Sequence, residues 1–150
     1  MKNLIRISAT LTSSVLLSVA AHSVEAQQFQ PLDNIQEQVA PAYIPTRCGG
    51  LYQAFMEWGG EARLGSDLWR QSDEIRGNFI LVAVLMAQED QGRSTEDVAN
   101  SVVRDVRNIA DIYLERFERN YAVTGQAMAE DTLIVSDLQY CRLTADLLIQ

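Results

Sequence analysis

Two cysteines, Cys48 and Cys141, carry the only thiols of this 150-residue chain. An exported chain with two cysteines usually joins them. The bond would close a loop of 93 positions, for which the chain-entropy model gives about 4–5 kcal/mol of stabilisation. The alternative is a reactive thiol at Cys48, because the first turn of a helix stabilises a thiolate. No second cysteine stands two residues away, as in redox motifs, so we expect a structural disulfide.

Adjacent carboxylates are the second candidate for chemistry. They occur at Asp73-Glu74, Glu89-Asp90, Glu96-Asp97 and Glu130-Asp131. Two carboxyl groups are the minimum for glycoside hydrolysis, but neighbouring side chains of a helix point about 100° apart. Three of the pairs lie near predicted helix ends, where solvation and the helix dipole account for them. We therefore assign no catalytic residue.

The residue types that support most other mechanisms are missing. The only lysine, Lys2, and the only histidine, His22, both lie in the first 26 residues. The rest of the chain therefore has no His general base, no Ser-His or Cys-His pair and no His metal ligand. Schiff bases and Ser-Lys dyads are excluded as well, and two cysteines do not build a usual zinc site. We expect a non-catalytic protein without a metal or cofactor.

A glycine-containing turn between two predicted helices is flanked by both tryptophans of the chain, Trp58 and Trp69, with Arg63 and Arg70 beside them. Tryptophan and arginine are enriched among residues that dominate binding energy at interfaces. These four residues are therefore the candidate binding patch. The alternative, which the adjoining helical stripes favour, is that both indoles cap one end of the core.

The N-terminus has the pattern of a secretory signal peptide. Lys2 and Arg6 precede an uncharged, moderately apolar stretch, and Val24-Glu25-Ala26 matches the residues that a signal peptidase reads. Seven Ser and Thr between residues 7 and 24 make this stretch a poor membrane span. We predict a signal peptide over 1–26, a periplasmic or secreted protein of bacterial type, and no stable membrane anchor after cleavage.

The chain after residue 26 is strongly acidic. Ten arginines face nineteen aspartates and glutamates, which gives a formal net charge of −9. Such a charge argues against binding nucleic acid or anionic lipid. It does not identify a partner.

Proline and periodicity divide the remaining chain into two parts. All three prolines lie before Thr46, so residues 27–45 are predicted to be a Gln- and Pro-rich extended leader. Residues 46–150 contain no proline and show helical periodicity. Helices are predicted over 47–58, 66–88, 94–123 and 130–148. The fold class is therefore all-α, a compact antiparallel bundle of one short and three longer helices, stapled by one disulfide.

Two features suggest how these helices pack. Gly49 and Gly50 disfavour a helix by about 1 kcal/mol each, but they let another backbone approach closely, whereas Gly59-Gly60 is expected to end the first helix. The stretch Phe79–Ala87 is apolar on all sides. A helix without a polar face is buried, so we place the second helix at the centre of the bundle. A buried parallel strand is the alternative for this stretch.

One charged residue, Arg116, falls at the edge of the apolar face of the third predicted helix. We expect its aliphatic stem to cover this edge with its head group at the boundary, where it would pair with Asp105 on the same edge. A role in binding a carboxylate ligand is the less favoured alternative.

Three functions remain open on these residues. The favoured one is an exported, non-catalytic protein that binds or shields a protein partner or, less favoured, a small ligand. An acid-responsive, chaperone-like periplasmic protein is the alternative, because its many carboxylates would lose charge below about pH 5 and loosen the fold. The third is a small secreted hydrolase that uses carboxylates alone.

Overall fold

The computed structural model describes residues 29–89 and 92–148 of the chain. They form five helices and no strand: α1 (Leu32–Ile35), α2 (Tyr43–Leu64), α3 (Ser66–Glu89), α4 (Thr95–Thr124) and α5 (Thr132–Leu148). The all-α bundle is therefore confirmed. The predicted signal peptide lies outside the described residues. Within the part of the chain that is described, no helix is both long and apolar enough to cross a bilayer.

The last three helices begin and end within two residues of their predicted bounds, and α4 shows why. Ser94 caps its start, because its Oγ accepts a hydrogen bond from the backbone N–H of Asp97 at 3.1 Å. At the other end Gly125 adopts the left-handed conformation (φ 75°, ψ 5°), and its N–H donates to the carbonyl of Tyr121 at 2.9 Å. Local sequence signals decide both ends.

The stretch predicted as an extended leader differs from that expectation in its described part. Leu32–Ile35 forms one helical turn, and α2 begins at Tyr43. Pro45 does not prevent this, because it lies in the first turn of α2, where a helix needs no N–H donor. Leu32 is fully buried. The leader is thus joined to the hydrophobic core by a buried side chain that periodicity alone did not identify.

The C-terminal end of α2 is shaped by Gly59 and Gly60. Gly60 has φ 61° and ψ 157°, which is not helical, so α2 kinks there and continues for one more turn to Leu64. The helix predicted over 47–58 is therefore longer at both ends. The glycine pair interrupts it as expected without ending it.

The central helix is α2, and the prediction that α3 occupies this position is wrong. α2 packs against α3, α4 and α5, and ten of its residues are buried. In α3, Phe79 and Ala83 are fully buried, but Leu81 is 59% exposed, Leu85 55% and Met86 40%. One side of α3 packs against the bundle, and no described helix covers the other side. Apolar composition alone therefore did not determine which helix is enclosed.

The glycines of α2 explain its central place. A Cβ atom at Gly50 would lie 2.5 Å from Cγ2 of Ile109 and 3.0 Å from the carbonyl oxygen of Val106. At Gly49 the nearest atom, Cγ2 of Val106, would be 3.3 Å away. The close approach of α4 to α2 thus depends on the missing side chains, as the glycine pattern predicts.

The disulfide between Cys48 and Cys141 is present, with a Cα–Cα distance of 5.4 Å. Both residues are fully buried, and the bond ties α2 to α5. Because 93 positions separate the two cysteines, it closes nearly the whole helical domain into one loop. This confirms the predicted disulfide.

Aromatic rings form a continuous row through the core from α4 to the N-terminal segment. The centroid of Trp58 lies 5.7 Å from that of Tyr121 and 6.2 Å from that of Phe117. Phe117 is 6.4 Å from Tyr113, and Tyr113 is 5.2 Å from Phe29. The row leads from Tyr121, which is exposed, to Tyr113, which is fully buried. It thus connects the kinked end of α2 with the segment before α1.

Candidate functional site

The predicted patch divides into two parts in the structure. Trp58 and Arg63 lie together at the kinked end of α2, and the guanidinium of Arg63 is 5.9 Å from the Trp58 ring centroid. Among the described residues, no ring contact or hydrogen bond joins Trp69 or Arg70 to this pair. The turn that joins α2 to α3 is therefore not one surface.

Tyr121 of α4 lies beside Trp58 and extends the surface that Trp58 forms with Arg63. Trp58 is half-buried, packed edge-on against the buried ring of Phe117, and its other neighbour Tyr121 is 56% exposed. Tyr121 is four residues after Phe117 and thus on the apolar stripe of α4. Helical spacing places it there, but only the end of the bundle leaves it exposed. We call Trp58, Arg63 and Tyr121 the Trp58 patch.

Arg63 is held in place by two backbone carbonyl groups that precede it in α2. Its Nε donates to the carbonyl oxygen of Gly59 at 2.8 Å, and its Nη2 donates to that of Trp58. These carbonyls stand next to the Gly60 kink, where the regular hydrogen-bond ladder is interrupted. The head group therefore satisfies the end of the helix and is fixed beside the indole.

Trp69 and Arg70 lie in a different environment. Trp69 is half-buried in a groove of about 640 Å³ that Met56, Ile80 and Val103 also line. Arg70 is exposed and pairs with Asp67 at 2.8 Å, one turn away on α3. An exposed pair of this kind contributes little to stability, and neither of its residues lines the groove.

A second cluster, which the sequence reasoning missed, is fully buried. Arg47 of α2, Tyr113 of α4 and Asp137 of α5 have no exposed surface. Nη2 and Nε of Arg47 donate to Oδ2 of Asp137 at 2.5 and 3.1 Å, and Nε also donates to the Tyr113 hydroxyl at 3.0 Å. That hydroxyl donates in turn to the same Oδ2. We call these residues the Arg47 cluster.

One signal for this cluster was present in the sequence. Asp137 stands three residues after Ile134 and four before Cys141, so helical spacing places a carboxylate on the buried face of α5. A buried carboxylate requires a partner. The sequence contains ten arginines after residue 26, and only the fold selects Arg47.

The N-terminal segment completes the cluster. The backbone N–H of Leu32 donates to Oδ1 of Asp137 at 2.7 Å. The ring of Phe29 covers the guanidinium of Arg47, with its centroid 3.7 Å from Cζ, a distance typical of a cation–π contact. Phe29 and the start of α1 are therefore bound to α2 and α5 through the two partners of one ion pair.

Burial and charge shift the titration of the cluster. Burial, followed by the negative charge of Asp137, raises the pKa of Tyr113 well above its usual value. Burial disfavours the charged form of Arg47, but the contacts with Tyr113 and Asp137 outweigh it, and its pKa is raised. Arg47 is therefore charged and Tyr113 neutral over the physiological range.

The guanidinium of Arg47 has one nitrogen without a partner. Nη1 is the only buried side-chain nitrogen or oxygen in the described part of the chain that lacks a hydrogen bond. Arg47 lines a pocket of about 400 Å³ between α2 and the segment before it. The other lining residues are Phe29, Gln30, Ile35, Gln38, Val39, Ala40 and Tyr43.

Arg116 does not pair with Asp105, so that prediction is wrong. Its Nε donates to Oδ2 of Asp131 at 2.5 Å. Asp105 stands eleven residues earlier on α4, about 16 Å along the helix axis at 1.5 Å per residue, which is beyond reach. Asp131 also accepts hydrogen bonds from the backbone N–H groups of Leu133 and Ile134 at 3.1 and 3.2 Å.

These contacts make Asp131 the structural cap of α5. Burial raises its pKa, but the hydrogen bonds from Arg116, Asn120 and Ile134 outweigh that effect, so the pKa of Asp131 is lowered. The carboxylate therefore stays ionised, bound to the α4 side chains and the start of α5. It is engaged in joining two helices.

Within residues 29–89 and 92–148, no group of three or more His, Cys, Asp or Glu side chains is arranged to hold a metal ion. No protein-family model matches the chain, and neither curated proteins nor solved structures yield a match.

Proposed function

We propose that this chain is an exported, non-catalytic protein that binds a protein partner in the periplasm through the Trp58 patch. The observation that carries the proposal is the exposed ring of Tyr121 against the half-buried indole of Trp58, with the Arg63 guanidinium beside it. Tryptophan, tyrosine and arginine are the residue types most enriched among those that dominate binding energy at interfaces.

The rigidity of the patch supports this function. Trp58 is held against Phe117, and Arg63 is bonded to two backbone carbonyls. A binding surface that is already ordered loses less conformational entropy when a partner arrives. The three side chains of the Trp58 patch are thus ordered before a partner binds, and all three belong to the residue types that dominate binding energy at interfaces.

The charge of the chain narrows the class of partner. A net charge of −9 after residue 26 disfavours nucleic acids and anionic lipid surfaces, whose phosphates it would repel. A protein surface with apolar pockets and hydrogen-bond acceptors matches an indole, a phenol and a guanidinium better.

A crosslinking experiment tests the proposal. A photoreactive phenylalanine analogue replaces Tyr121 in the full-length chain, expressed in its natural host. The matched control carries the same analogue at Val123, which is 80% exposed on the same helix. We expect one discrete protein adduct from position 121, lost when Trp58→Ala is added, and none from position 123.

Two results would contradict partner binding at this patch. One is the absence of an adduct from position 121, and the other is an identical set of adducts from both positions. The expected compartment has a separate readout: N-terminal sequencing of the protein from the periplasmic fraction should begin at Gln27. A sequence that begins at Met1 would contradict export with cleavage.

A further inference from the structure

The pocket beside the Arg47 cluster lies in a part of the molecule that the proposed function does not use. Its volume of about 400 Å³ is at the lower end of the range of small-molecule sites. Five of its eight lining residues are apolar or aromatic, including Phe29, Val39 and Tyr43, and the amides of Gln30 and Gln38 add polar groups. Such a wall fits a small molecule with an apolar body.

The single unpartnered atom of the cluster indicates how such a molecule would be oriented. Nε and Nη2 form one edge of the Arg47 guanidinium, and both are bonded to Asp137. Nη1 lies at the other edge of the planar group and has no partner. A buried donor that is left unpaired is unfavourable, so an acceptor atom that enters from the pocket would gain a charge-assisted hydrogen bond.

Charge selects the kind of acceptor. The positive charge of Arg47 is already balanced by Asp137, and both are fully buried. A second carboxylate would add an uncompensated negative charge in a low-dielectric environment, in a chain whose net charge is already negative. A neutral carbonyl or hydroxyl oxygen can accept from Nη1 without this penalty.

Phe29 contacts the Arg47 guanidinium and also lines the pocket. Its ring stacks on the guanidinium at 3.7 Å, yet the residue is only half-buried. It belongs to the short segment that precedes α1 and is not part of a helix. A movement of this one ring would therefore open the space beside Arg47 further without separating the helices.

We propose that this pocket binds a small, uncharged, largely apolar molecule whose carbonyl or hydroxyl oxygen accepts a hydrogen bond from Nη1 of Arg47. This site is independent of the Trp58 patch, so either can fail without the other.

The test uses prodan, an uncharged naphthalene ketone whose fluorescence reports binding, and the purified protein with its disulfide intact. Two analogues test the chemistry: dimethylaminonaphthalene, which lacks the ketone, and the corresponding naphthoate, which carries a carboxylate. We expect saturable binding of one prodan per chain, with both analogues about tenfold weaker or worse, the range of one hydrogen bond to a charged group.

Variants locate the site without disturbing the buried ion pair. Val39→Trp fills the pocket from a half-buried position, and it should weaken prodan binding at least about tenfold, as expected for steric exclusion. Val135→Trp, on the exposed side of α5, should leave the affinity within about twofold, because surface changes away from a site have little effect. Far-UV circular dichroism confirms that both variants are folded.

Four results would overturn the proposal. They are the absence of saturable prodan binding, unchanged affinity in Val39→Trp, equal affinity for the ketone and its ketone-free analogue, and tighter binding of the carboxylate. The third would indicate apolar adsorption without Arg47, and the fourth would indicate a site for anions.

Discussion

Two stretches of the molecule contradict the rule that apolar segments lie inside. Pro45–Leu51 in α2 contains a threonine, an arginine and two glycines, and each of its seven residues is buried. Phe79–Ala87 in α3 is wholly apolar, and three of its large side chains are among the most exposed of their type in the described chain. The less hydrophobic stretch occupies the centre.

The difference shows that position in this bundle depends on how closely the helices approach. Gly49 and Gly50 allow α4 to reach the backbone of α2, and Cys48 binds α5 to the same turn. Neighbours thus surround α2, whereas α3 packs against the bundle on one side only. Arg47 is accepted inside because Asp137 and Tyr113 satisfy it.

Among the changes that test the enclosed position of α2, loss of the disulfide should lower the free energy of unfolding most. We expect the double substitution Cys48→Ala and Cys141→Ala to lower the free energy of unfolding by about 4–5 kcal/mol, because it frees a long loop in the unfolded chain. Urea denaturation measures this effect. A loss below about 1 kcal/mol would contradict this account, because the freed loop would then favour the unfolded chain far less than its length predicts.

Removal of one partner of the buried ion pair should have the next largest effect. Asp137→Ala leaves Arg47 charged and unpaired in the core, which is expected to lower the free energy of unfolding by about 3–5 kcal/mol. Replacement of both partners, by Arg47→Met with Asp137→Leu, should restore much of this loss. Asp67→Ala, which breaks the exposed pair with Arg70, is the control and should have little effect.

Equal losses in the single and double variants would contradict this account. They would show that the hydrogen bonds to Tyr113 and Leu32, and not the unpaired charge, carry the stability of the region. Urea denaturation of the three variants at one pH separates the two explanations.

The same glycine-to-alanine change should have opposite effects in the two helices. Gly50→Ala introduces a Cβ atom 2.5 Å from Ile109, and we expect a destabilisation of about 1–3 kcal/mol from overpacking. Gly77→Ala in α3 meets no atom within 4 Å, and the better helix propensity should stabilise the protein by up to about 1 kcal/mol. Thermal unfolding compares them, and effects of the same sign would refute the close-approach argument.

The smallest effect is expected on the exposed side of α3. Leu81→Gln with Leu85→Gln should change the free energy of unfolding by no more than about 0.5 kcal/mol per site, because both side chains are already largely in water. Ala83→Gln, on the buried side of the same helix, is the matched contrast and should be destabilising by about 1–3 kcal/mol. A large loss from the leucine pair would mean that a second surface covers this face.

Part of the Trp58 patch could be predicted from residues that are close together in the sequence. Trp58 and Arg63 stand five residues apart on either side of a glycine break, and they do lie together. Trp69 and Arg70, equally near in sequence, do not join them, because α3 begins at Ser66 and leads the chain away. Tyr121 joins the patch from α4, at a separation that no local pattern reports.

The sequence by itself determined α3, α4 and α5 with their ends, the close contact at Gly50 and the cysteine pair, but it identified neither α1 nor the ends of α2. These depend on interactions within a few residues of the chain, such as the Ser94 cap, or on a pair of residues with no alternative partner. Only the tertiary structure decided that α2 is enclosed, that Arg47 rather than another arginine meets Asp137, and that Arg116 binds Asp131. Each of these outcomes depends on which helix faces touch, and the energy of a contact between faces is not encoded in either face alone.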